Sequence, residues 1–165
     1  MFAHIQDIPT RAECAQALTC CCVALGQDMS METGERLRRT RSYYWGCIYA
    51  SDEEEGDFGD LDGPGPIWTS RCWVAIRVRH ARLVAKEEAD VVLAVEVRQT
   101  AAADFAYQAT IDLPSGVLSV GDADSDDALR LAPGTWLMQV DLDSPDDATN
   151  VRIVLSPARP SNQEE

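Results

Sequence analysis

Carboxylates dominate the chemistry this chain offers. Seven acids fall between Asp52 and Asp62: Asp52, Glu53, Glu54, Glu55, Asp57, Asp60 and Asp62. Their mutual repulsion favours an extended segment, and a basic partner relieves it while gaining in association rate. Phe58 and Leu61 sit inside the run. A segment serving only solubility has no use for them, so Phe58 joins the acids as a candidate contact. Asp122, Asp124 and Asp126 are spaced like the opening of a calcium loop. The pattern then fails, with Asp127 where the loop needs Gly and Pro133 where it needs Glu. These three are the candidate calcium ligands of a looser site; otherwise the stretch reads as a solvated turn.

Other chemistry is poorly supplied. The two histidines are His4 and His80, and His80 follows an Arg-rich stretch without an adjacent nucleophile. No G-x-S-x-G, H-E-x-x-H, P-loop or dinucleotide fingerprint occurs. The expectation is a protein that is not an enzyme and needs no cofactor. An unrecognised carboxylate pair is the enzymatic alternative. The six cysteines, Cys14, Cys20, Cys21, Cys22, Cys47 and Cys72, include three in a row and no C-x-x-C. They read as free thiols of a reducing compartment rather than a disulfide or zinc framework.

The net charge is −14. Residues 1–50 contribute nothing to it, because Arg11, Arg36, Arg38, Arg39 and Arg41 balance five acids. A field of that sign opposes nucleic acid and anionic membrane and favours a basic protein. The arginine cluster is expected to pair with acids of the same chain or to form a solvated face. Thirteen of the fourteen basic residues are Arg, which points to a GC-rich bacterial coding sequence. No basic stretch followed by an apolar run opens the chain, so no secretory leader is expected and the location reads as cytoplasmic.

The elements that must position these residues are mostly strands. Thr10-Arg-Ala-Glu13 fits a capping box, predicting a helix over about residues 10–26 closed by Gly26. Residues 27–41 are polar, and the spacing of Glu32 and Glu35 to the following arginines allows a short second helix. Ser42–Ala50 reads as a strand, with alternate members of Tyr43, Tyr44, Trp45 and Tyr49 in the core and Tyr44 outward as a partner contact. Residues 51–66 read as an acidic loop, since Gly63-Pro-Gly-Pro66 excludes regular structure. From Trp68 the period is two, with strands expected over 72–79, 91–98, 105–112, 117–120, 129–131, 136–142 and 151–155. The fold class is mainly β with an N-terminal helix, an antiparallel sandwich or barrel. One domain is expected over 1–157, with 67–157 as the sandwich and 158–165 as a disordered tail.

The run VVLAVEV, then FAYQATIDL, then Leu131-Ala-Pro-Gly-Thr-Trp-Leu launching an aromatic strand, a hairpin and a closing VRIVLSPA form an ordered series. Over residues 74–157 this series resembles a β-sandwich family that includes the competence protein J type of bacterial nuclease inhibitor. The resemblance implies a small sandwich that blocks a partner nuclease without a cofactor. The N-terminal helix and the cysteine run lie outside it. The combined expectation is an inhibitor or immunity-type protein that occludes a basic enzyme, such as a nuclease toxin, with residues 52–62. The acidic turns at 122–127 and 141–147 would assist. A calcium- or ligand-binding module is the alternative.

Overall fold

The computed structural model describes residues 33–54, 61 and 64–158. All of them belong to one compact unit. The expected helix at 10–26, most of the acidic run and residues 159–165 lie outside the described residues.

Ten strands form two five-stranded sheets. They are β1 (Gly34–Ser42), β2 (Cys47–Asp52), β3 (Ile67–Thr69), β4 (Trp73–Arg77), β5 (Asp90–Val97), β6 (Tyr107–Leu113), β7 (Val117–Gly121), β8 (Asp126–Arg130), β9 (Gly134–Leu142) and β10 (Asn150–Pro157). Sheet A runs β1-β5-β10-β9-β6 and sheet B runs β3-β4-β2-β7-β8. A single 3-10 turn at Lys86–Glu88 is the one helical element among the described residues.

Alternation builds the core. Val91, Leu93, Val95 and Val97 of β5, Val151, Ile153 and Leu155 of β10, and Trp136, Met138 and Val140 of β9 all face inward. They meet Ile48 and Ala50 of β2, Val74 and Ile76 of β4, and Leu118 and Val120 of β7. Period-two patterning places one row of each strand in a shared interior, as a sandwich requires.

Three expectations change. The described part of the polar stretch allowed as a second helix carries the edge strand β1 from Gly34. Its register with β5 slips between Glu35 and Leu37. Such a bulge inserts one residue, so positions three apart reach the same face. Glu35 and Arg38 pair there at 2.7 Å, which meets the spacing that suggested a helical turn. The strand expected at Ser42–Ala50 is divided: Ser42 ends β1, Cys47 starts β2, and Tyr43–Gly46 forms a turn. Gly46 closes that turn with its N–H on Tyr43 O at 3.2 Å. Its φ of +65° and the His80 side chain, whose Cβ would lie 3.0 Å from a Cβ placed there, both call for glycine. Finally, the ladders are not wholly antiparallel, because β10 pairs with β5 in parallel. The closing strand enters between β9, its hairpin partner, and β5, which runs in its own direction.

Candidate functional site

The acidic segment leaves sheet B at Asp52, and that residue departs from expectation. It is only 1% exposed. Its carboxylate accepts from Ser115 N–H at 3.0 Å, Ser115 Oγ–H at 2.7 Å and Glu54 N–H at 3.0 Å. Asp52 therefore ties the end of β2 to the turn after β6 and offers nothing to a partner. The next two acids, Glu53 and Glu54, are exposed. Glu55, Asp57, Phe58, Asp60 and Asp62 lie outside the described residues.

A groove of about 380 Å³ opens on the outer face of β2 and β7. Tyr49, Glu53, Ser119, Asp122 and Asp126 line it, and its described lining contains no basic residue. The structure thus brings a partner-contact candidate together with two of the calcium candidates. Asp122 Oδ1 accepts from the N–H groups of Asp124 (3.2 Å) and Ser125 (3.1 Å), holding the turn between β7 and β8. Ser119 Oγ–H donates to the Asp126 carboxylate. Among the described residues no three His, Cys, Asp or Glu side chains converge in a metal-holding group. Asp122 and Asp124 lie in the turn and Asp126 opens β8.

Tyr44 stands elsewhere. Tyr44 (49% exposed), Trp45 (54%) and Leu83 (80%) are the exposed large apolar side chains of the described residues. Their two turns are joined where Gly46 N–H and Ala81 N–H both donate to Tyr43 O. The Arg82 guanidinium covers Trp45 at 5.1 Å, a cation–π contact. A second groove, of about 440 Å³, runs between Trp45, Leu61, Trp68 and Val84, with Asp146 at its rim. His80 lines it too and accepts from Arg82 N–H at 3.2 Å through Nδ1, as a turn-holding residue does. Tyr44 precedes β2 and Glu53 follows it, so the length of that strand separates them. Leu61 is the residue of the acidic run seen at the aromatic end.

The outer face of sheet A is different again. Its groove of about 450 Å³ is lined by Glu35, Glu96, Asp141 and Asp143 together with Arg38 and Arg152. Glu96 receives Arg98 at 2.6 Å and Arg152 at 2.9 Å, and these bonds hold its carboxyl below the usual range. Burial raises Asp143, but donors from the Thr149 and Asn150 side chains and backbones outweigh it and hold the carboxyl well below its ordinary value. Arg39 reaches Asp127 on β8 at 2.8 Å, and Arg41 donates to Ser125 O at 2.8 Å. The arginine cluster thus latches the edge of sheet A to the edge of sheet B, as the internal-pairing expectation had it. These partners lie more than 80 positions apart, and no local signal announced them. Cys47 is a free thiol, and burial pushes it up, away from nucleophilic use.

No family model and no curated protein sequence matches this chain. Among solved structures, it is similar to ComJ from Bacillus subtilis, described as an inhibitor of the DNA-degrading activity of NucA. The TM-score is 0.54 at 6% identity, over 77% of this chain and 99% of that one. A second structure, described as crocagin biosynthetic gene J, aligns with TM-score 0.44 and 18% identity over 78% and 98% of the two chains. The likeness to ComJ is one of fold, and it agrees with the resemblance carried by residues 74–157. No described helix is long and apolar enough to cross a membrane.

Proposed function

We propose that this protein is a bacterial, cytoplasmic inhibitor or immunity-type protein that blocks a basic partner enzyme, such as a nuclease, by occupying its substrate groove. The observation that carries the reading is the groove over β2 and β7, whose described lining presents carboxylates without a base. Glu53 lines it, and Glu54, Glu55, Asp57, Asp60 and Asp62 continue the same run in sequence. A basic substrate groove is the complementary surface, with association steered by the field and weakened by salt. The fold it shares with a nuclease inhibitor supports this reading. Phe58 is proposed as an apolar contact carried by the acidic run, and Tyr44, at the other end of β2, as a separate apolar contact. Steric and electrostatic occlusion needs no catalytic residue and no cofactor.

The test is affinity purification of the tagged full chain from its native cytosol at low and elevated salt, with bound proteins identified. The expected result is one stoichiometric basic partner, released by salt. Replacing Glu53, Glu54, Glu55 and Asp57 by Gln or Asn should slow its association roughly tenfold at low salt and flatten the salt dependence. An unchanged rate and salt response would remove these acids from the interface.

A further inference from the structure

An open sheet edge pairs with another strand unless something prevents it, and proteins block their edges in recognisable ways. Three of the four edges here carry such a device. β1 holds four arginines and a bulge. β3 is three residues long. β8 carries Asp126, Asp127 and Arg130 within five residues. The fourth, β6, has none among the described residues. Its register with β9 is unbroken over seven residues, and Tyr107 to Ile111 contains no charge and no proline.

The free side of β6 has a defined hydrogen-bonding pattern. Asp112 N–H points away from β9 and donates to Arg71 O at 2.8 Å. Antiparallel pairing alternates, so the N–H and C=O groups of Gln108 and Thr110 point the same way. They have no backbone partner among the described residues. The inward row of β6 is open at the same place. Ile111 and Leu113 are fully buried, whereas Tyr107 and Ala109 are only half-buried against the core. A further strand would satisfy the Gln108 and Thr110 backbones and cover Tyr107 and Ala109.

Charge selects what that strand carries. No Lys or Arg occurs between Arg98 and Arg130, Asp104 precedes the edge in sequence, and Asp112 at its far end is paired with Arg71 at 2.8 Å. Asp141 is exposed on the neighbouring β9. A second copy of this chain brings another −14 to the seam, whereas a basic segment is attracted.

We propose that β6 is a docking edge that takes up an extended segment of a basic protein as a sixth strand of sheet A. Apolar residues of the segment face inward and basic ones outward. Main-chain bonds supply affinity and the alternation supplies register, as in other cases of strand addition. This surface is separate from the groove over β2 and β7, and either can fail without the other.

The experiment uses the full chain, isotope-labelled, with two synthetic decapeptides of five Arg and five Val, one alternating and one in blocks. Amide hydrogen exchange is read residue by residue. The alternating peptide should slow exchange at Gln108 and Thr110 about tenfold, and the block peptide should not. Thr110→Pro removes the outward N–H without touching the bonds to β9, and should weaken the alternating peptide about tenfold, while Thr110→Ala leaves it unchanged. Melting curves of both variants confirm the fold, and the wild-type exchange pattern stands without them. Equal protection by both peptides, or protection at Glu53 and Asp122 instead, overturns the proposal. So does slow exchange at Gln108 that needs no peptide and grows with protein concentration, since it assigns the edge to a second copy.

Discussion

The grooves on the outward faces of the two sheets are lined by equal numbers of described carboxylates, four each, yet they differ in what those charges face. Over sheet A, Glu35 meets Arg38, Glu96 meets Arg98 and Arg152, and Asp143 is enclosed by donors from Thr149 and Asn150. Over sheet B, Asp52, Glu53, Asp122 and Asp126 share a described lining without a base. Net charge sums both faces and distinguishes neither. Acids with partners inside the fold act in stability, whereas acids without a counter-charge leave a field for another molecule. Two neighbours sharpen this further, since Asp52 is sealed by Ser115 and Glu53, the next residue, is exposed.

The strongest way to break the comparison acts on Asp52. Asp52→Ala leaves Ser115 and the Glu54 N–H without their acceptor, and should destabilise the chain by about 3 kcal/mol in a urea melt. Glu53→Ala, one position on, should stay within about 0.5 kcal/mol. Equal losses would show that burial does not separate the two.

Glu96→Gln tests the paired face. It removes the shared charge between Arg98 and Arg152, and Tm should fall by about 2 °C while partner capture is unchanged. Loss of capture would move the interface to sheet A.

The smallest effect is in the acid limb. Asp143 is held well below its ordinary value in the folded chain. Its contribution is therefore complete above the unfolded carboxylate value of about 4, and is lost as pH falls through the lower folded value. Asp143→Asn should lower stability at neutral pH and flatten its decline below about pH 4 in a pH-resolved denaturant titration. An unchanged acid limb would show that the Thr149 and Asn150 bonds do not favour the charged form.

Much of the sandwich was legible. The alternation in DVVLAVEV and in WLMQVDL marks β5 and β9 because one row of each is core. The turn at Leu131–Gly134 was equally readable, and Trp136 Nε1–H anchors it on Ala132 O at 2.9 Å. β1 was not, since Arg39 and Arg41 meet partners far along the chain and its bulge satisfies a helical spacing. The candidate site was legible as composition and not as place. The acidic run announced a charged segment, but Tyr44 stands at the other end of β2 from Glu53, and of the aspartates read as calcium ligands Asp122 holds a turn while Asp126 accepts from Ser119.

By itself the sequence determined the mainly β character, the interior rows and the sign of the field, because alternation and charge are properties of local order along the chain. Only the tertiary structure decided which acids have counter-charges and which sheet edge is left open. Both depend on residues brought together from distant positions, such as Asp52 with Ser115 and Arg39 with Asp127, and on the side of β6 that no described strand covers.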